Sequence, residues 1–203
     1  MFDQFKAMDL KDRFGKVTKM ILANNGRTSV PHQVDYVKDR KVKLEPSEIG
    51  CYASHYGIFE QIAKEGWINT LIMEDDCLFS NHFLPSLESL PEYDYLNFTH
   101  VTYGPAEHYH YEMVDKRLAK GYGFWFTNCY AITLETAQMF VERLRVQTDS
   151  IDCQIALLQK EINAFCFTPS IVTQNYRHHS TIIHTNNIRK NGDLRRPGSP
   201  VKG

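Results

Sequence analysis

Residues 70–79 read TLIMEDDCLF: an apolar run meets three consecutive carboxylates, Glu74, Asp75 and Asp76, then turns apolar again. The overlapping run INTLIM (68–73) is short, apolar and preceded by Gly66, which predicts a strand buried on both faces. A strand ending near Met73 puts the triplet at the carboxyl edge of a sheet, where open α/β sheets bind ligands. On an extended backbone Glu74 and Asp76 would share one side, with Cα atoms about 6–7 Å apart, and Asp75 would face the other. Unit charges about 4 Å apart repel by roughly 4 kcal/mol at an effective dielectric near 20, so the triplet needs solvent, a proton or a cation. Oxygen ligands without cysteine–histidine pairing nearby favour Mg²⁺ or Mn²⁺ over zinc. A solvated acidic turn is the plain alternative.

Upstream, EPSEIGCYASHYGIFEQIAKEG (45–66) is the clearest helix, with Ile49, Tyr52, Ala53, Tyr56, Phe59, Ile62 and Ala63 recurring at spacings of three and four. Pro46 suits its first turn, Glu48 its positive end and Gly66 its close. Gly50, inside the helix, admits either close packing or close approach of a ligand. Downstream, YDYLNFT (93–99) alternates as a strand, and TLETAQMFVERLR carries an apolar face with Thr133 as a cap. SIDCQIALLQKE reads as a short helix and NAFCFTPS as a strand ended by Pro169. A further strand is expected near Val17–Ala23. Helices alternating with buried strands predict a single α/β domain, residues 1–187, with a mostly parallel central sheet flanked by helices.

The whole chain, 203 residues with 42% hydrophobic content, is long enough for one substantial core. Basic and acidic residues nearly cancel at 23 against 24, so no global field recruits nucleic acid. From residue 188 to 203, Arg189, Lys190, Arg195, Arg196 and Lys202 face only Asp193 among glycines and prolines. That predicts a flexible basic tail, either simply solvated or resting on an anionic membrane surface. Five cysteines without a Cys-x-x-Cys pair argue against a disulfide framework or a zinc ribbon. With no apolar leader or spanning segment, a soluble cytoplasmic protein is expected, peripheral at most at the inner membrane face.

LEPSEIGCYASHYGIFEQI followed closely by TLIMEDDCLF resembles glycosyltransferase family 25, which includes lipooligosaccharide and collagen galactosyltransferases. Glu48, Gly50, Cys51, Ser54 and His55 match its Glu-x-Gly-Cys-x-x-Ser-His segment, and Leu71, Ile72, Glu74, Asp75 and Asp76 its Leu-Ile-x-Glu-Asp-Asp segment. TNCYAITLETAQMFVERL, SIDCQIALL and FTPSIVTQ follow in the family's order, over roughly residues 40–183. The resemblance implies a GT-A-like, Rossmann-like domain that moves a hexose, galactose by the family's precedent, from a UDP-sugar donor to a glycan or glycolipid acceptor. Mn²⁺ or Mg²⁺ would hold the donor diphosphate, and a carboxylate would deprotonate the acceptor.

On that reading Asp76 is the main metal ligand, joined by Glu74, and by His179 from the run YRHHSTIIH, which also offers His178 and His184. Glu74, Asp75, Glu48, Gly50, Ser54 and His55 form the donor site. Asp152 is the general base, with a helix-capping role as its alternative and Asp149 and Glu135 as competitors. Aromatics between Tyr103 and Trp125 would stack on sugar faces or simply fill the core. A zinc hydrolase built from His100, His108, His110 and the later histidines is a rival reading.

The family's usual opening strand, with its Ile-Asn-Leu segment and nucleotide-binding arginine, has no match here; FDQFKAMDLKDR resembles what normally follows it. A shortened sheet would leave an edge open to pairing with another chain. A non-catalytic relative that binds a glycan or a partner is therefore the second expectation.

Overall fold

Pro46 opens helix α1 (Pro46–Glu65) because its missing N–H is not needed there, and Gly66, at φ 69°, closes it in the left-handed conformation. The start is fixed by a reciprocal capping box, in which the Glu48 carboxylate accepts from the Glu45 N–H at 2.8 Å. The computed structural model describes residues 44–99 and 109–175. After α1 come β1 (Asn69–Met73), β2 (Cys77–Phe79), α2 (Phe83–Ser86), β3 (Tyr95–Asn97), β4 (His110–Met113) and β5 (Leu118–Tyr122). Then follow β6 (Cys129–Thr133), α3 (Leu134–Arg143), α4 (Ile151–Leu158), a 3₁₀ turn (Gln159–Glu161), β7 (Ala164–Phe167) and β8 (Val172–Gln174). The strand expected near Val17–Ala23 and the basic tail lie outside the described residues.

Among the described residues six strands form one sheet in the order β1-β6-β3-β7-β5-β4, while β2 and β8 pair separately. The fold class is α/β and consistent with a Rossmann-like GT-A domain, but the sheet is mixed rather than mostly parallel. Only β3 and β7 run parallel among the described strands; β6 lies antiparallel between β1 and β3. The four residues between β4 and β5 allow only a hairpin, and β5 pairs antiparallel with β7. β1 is also less buried than its apolar sequence predicts. It borders the sheet as described, so Ile72 is its one fully buried residue. β3, by contrast, is buried on both faces rather than alternating.

Register sorts the core. Ile72, Tyr130 and Asn97 lie opposite one another across three strands and share a face. On that face Tyr95, Ile132 and Ala164 pack under Phe59 and Ile62 of α1 and Phe140 of α3. Two long-range hydrogen bonds lock the helix layer: Tyr52 Oη donates to Leu144 O at 2.8 Å and Tyr56 Oη to Val141 O at 2.9 Å. On the opposite face Leu96, Phe98 and Phe167 meet Phe83 of α2 and Cys77 and Val172 of the β2–β8 pair. Thr133 caps α3 as expected, accepting from Thr136 N at 3.3 Å. All five cysteines are free. Among the described residues no helix is long and apolar enough to cross a membrane.

Candidate functional site

β1, β3 and β7 point the same way, because β1 and β3 both oppose β6 and β3 parallels β7. Their carboxyl ends emerge on one edge, together with the start of β6. Helices α1 and α4 each precede a strand of that set, so their amino-terminal turns return to the same edge. The topology thereby gathers Glu74–Asp76, Asn128, the start of α1 and Asp152. Glu135 begins α3 directly after β6 and therefore sits at the opposite edge, which removes it as a competitor for the base.

The triplet does not stay extended. Glu74 prolongs the ladder by one residue, its N–H donating to Asn128 O at 2.8 Å, and the chain then turns at Asp75–Asp76 to start β2. The expected sharing of one side by Glu74 and Asp76 is therefore replaced by a turn, because β2 must leave the sheet to pair with β8. Glu74 keeps the side of Ile72 and meets His55 of α1, with Oε1 3.3 Å from Nε2. His55 is 4% exposed, and its Nδ1 lies 2.8 Å from Tyr130 Oη. The Tyr130 ring stacks on Tyr95, centroids 5.5 Å apart. Burial alone would pull the His55 imidazole down. Its hydrogen bonds to Cys51 and Glu74, and its electrostatic interaction with them, more than reverse this and raise it to about 10. One ligand atom each from Cys51, His55 and Glu74 lie within 4.8 Å of one another. Among the described residues no other trio of histidine, cysteine or carboxylate atoms does so, the three carboxylates of the triplet included.

Asp76 faces β8 instead. Its Oδ2 accepts from Gln174 Nε2 at 2.6 Å, and its backbone carbonyl accepts from Asn175 N at 2.7 Å. The other carboxylate oxygen, Oδ1, is shielded from solvent and has no hydrogen-bond partner. Burial pushes the Asp76 carboxyl above its ordinary value; Gln174 pulls it down, and the charges of Glu74 and Asp75 push it up. Asp75 is exposed at the turn. Asn128 at the start of β6 likewise carries a buried side-chain oxygen, Oδ1, with no partner.

Glu48 and Gly50 are buried at the start of α1, Glu48 within the capping box. Ser54 Oγ donates back to Gly50 O at 2.7 Å. Asp152 lies in the first turn of α4, its Oδ1 accepting from Ser150 Oγ at 2.6 Å and Cys153 N at 2.9 Å. Its charge reaches the buried Tyr95 phenol and adds to the upward push that burial exerts there. Asp149 stands on the same edge, accepting from Ser150 N at 2.7 Å. His179, Tyr103 and the histidines at 100, 108, 178 and 184 lie outside the described residues. His110, exposed on β4, stands 3.8 Å from Glu112 and against the Tyr122 ring. Gln174, Tyr130 and Asn128 carry no role in the sequence reading. The expectation that no cysteine–histidine pair lies near the triplet is overturned: Cys51 and His55, four residues apart and so on one helix face, both reach Glu74.

Comparison with known proteins places these features. The family model for glycosyltransferase family 25 (LPS biosynthesis protein) matches residues 2–155, reaching upstream of the motifs that begin near residue 40. The chain is 30% identical over 103 residues to the probable inactive glycosyltransferase 25 family member 3 of Bos taurus, covering 47% of this chain and 17% of that protein. The inactive glycosyltransferase 25 family member 3 of Homo sapiens matches at 30% over 103 residues, with the same 47% and 17% coverage. A glycosyltransferase 25 family member of Drosophila melanogaster is 30% identical over 97 residues, 44% of this chain and 16% of that protein. The matched part spans less than a fifth of each of these relatives.

Proposed function

Since this chain belongs to glycosyltransferase family 25, we propose that it transfers a hexose, galactose in the first instance, from a UDP-sugar to a glycan acceptor such as lipooligosaccharide. The observation that carries this reading is the buried Asp76 Oδ1 without a partner, at the carboxyl edge of β1. An acceptor-only oxygen withdrawn from solvent is costly unless something positive meets it, and a hard divalent cation fits that requirement. Asp76 would hold Mn²⁺ or Mg²⁺, with Glu74 and His179 as its proposed companions and Asp75 on the donor side. When bound, the cation neutralises the diphosphate that leaves with the sugar–phosphate bond.

The chain's own residues supply the rest. Gln174 orients the Asp76 carboxylate through one oxygen and leaves the other free to bind. His55, held by Tyr130 and hydrogen-bonded to Glu74, lines the donor side of the edge. Glu48, Gly50 and Ser54 shape the start of α1, where backbone N–H groups favour an anionic donor. Asp152 has both its hydrogen bonds on Oδ1, which leaves Oδ2 to take the proton of the attacking acceptor hydroxyl. A single displacement of this kind inverts the anomeric centre.

A second reading, a degenerate member that binds a glycan or a partner without turnover, is favoured by the inactive designation of the bovine and human relatives. It is favoured also by the engagement of Glu74 with His55 rather than with Asp76. Incubation with labelled UDP-galactose, with and without Mn²⁺, separates the two. Metal-dependent hydrolysis or transfer supports the transferase. Stabilisation by UDP and Mn²⁺ without turnover supports the binder. The absence of both effects would overturn the nucleotide-sugar reading altogether.

A further inference from the structure

We propose that Cys51, His55 and Glu74 form a second, softer metal site, which binds Zn²⁺ through one sulfur, one nitrogen and one oxygen. It does not rest on the transferase reading, and it shares Glu74 with the hard-cation position proposed at Asp76. Cys51 and His55 are four residues apart on α1, so their side chains lie one above the other on the face turned to the sheet. Glu74 reaches them from the end of β1 because the ladder to Asn128 carries it one residue beyond the strand. The three ligand atoms already lie within 4.8 Å of one another. Ligands held tetrahedrally by zinc sit roughly 3.3–3.7 Å apart, from metal–ligand bonds of about 2.0–2.3 Å. The 3.3 Å between His55 Nε2 and Glu74 Oε1 meets that spacing without movement.

Two further features fit a ligand role. His55 Nδ1 is pinned to Tyr130 Oη at 2.8 Å, the outer bond that fixes a metal-binding imidazole with its other nitrogen turned to the ion. Glu74 keeps its side chain 33% exposed against 5% for His55, which gives an ion a way in and leaves a fourth position open to water or a ligand. The donor set also chooses the metal: thiolate with imidazole selects Zn²⁺ over Mg²⁺ or Mn²⁺.

The test uses the full chain, stripped with a chelator and titrated with Co²⁺ and then Zn²⁺. The expected result is a thiolate-to-cobalt charge-transfer band in the near ultraviolet that Zn²⁺ displaces. Cys51→Ser should abolish that band while circular dichroism stays unchanged, and Asp76→Ala should retain it. Tyr130→Phe should keep the band but weaken uptake about tenfold, the usual loss when an outer partner of a ligating histidine is removed. Should Cys51→Ser fold poorly, alkylation of the wild-type protein read by mass spectrometry replaces it, with Zn²⁺ expected to slow modification of Cys51 at least tenfold. No band in the wild type, a band that survives in Cys51→Ser, or Cys51 alkylation indifferent to Zn²⁺ would each overturn the site.

Discussion

Gln174 donates to one oxygen of Asp76, and the other oxygen waits without a partner. Asp76→Ala should therefore leave the folded state within about 1 kcal/mol of wild type, since one hydrogen bond is lost but a buried, mutually repelled charge is relieved. The same change should abolish Mn²⁺-dependent UDP binding, as read by calorimetry; retained binding would take Asp76 out of the metal role. Gln174→Ala should weaken that binding by about tenfold without abolishing it, because it frees the carboxylate to rotate while keeping its charge. The triplet itself was legible in the sequence, because charges flanked by burial-prone residues mark a strand end. Its division of labour was not. Glu74 turns to His55, which is itself held by Tyr130, 75 positions away, and Asp76 turns to Gln174, 98 positions away across the β2–β8 pairing.

At the scale of the element, helix signals carried further than strand signals. The spacing of α1, its proline start and its glycine end all stand as read, because period, cap and stop are local properties. Gly66→Ala should cost about 1 kcal/mol in urea unfolding, since the left-handed φ of 69° penalises a Cβ even in open space. Phe59→Ala should cost about 3–5 kcal/mol by the same measurement. Its ring is fully buried and lies 5.1 Å from Phe140 and 6.5 Å from Tyr130, so a cavity opens between the helix layer and the sheet. Strand direction was misjudged for a physical reason. A buried strand beside a helix reads alike whether its neighbour runs with it or against it, and nothing local in CYAIT announces that β6 runs backwards between β1 and β3.

For the molecule as a whole, the sheet separates two apolar layers, and the carboxyl edge where they meet the turns is where charge collects. A ligand that bridges that edge ties α1, β1, β6 and β8 together, so it should register as global stability rather than as a local change. At UDP and Mn²⁺ concentrations 100 times their dissociation constant, linkage contributes about 2.7 kcal/mol. For a chain of this size each kcal/mol moves the melting temperature by about 2–4 °C, so the shift should be roughly 5–11 °C. A chelator, or UDP supplied with Mn²⁺ omitted, should remove most of it, because an uncompensated diphosphate would face Glu74, Asp75 and Asp76 together. Differential scanning fluorimetry decides the matter: an equal shift with and without metal would mean that the nucleotide is held elsewhere, and that the acidic turn after β1 takes no part in binding it.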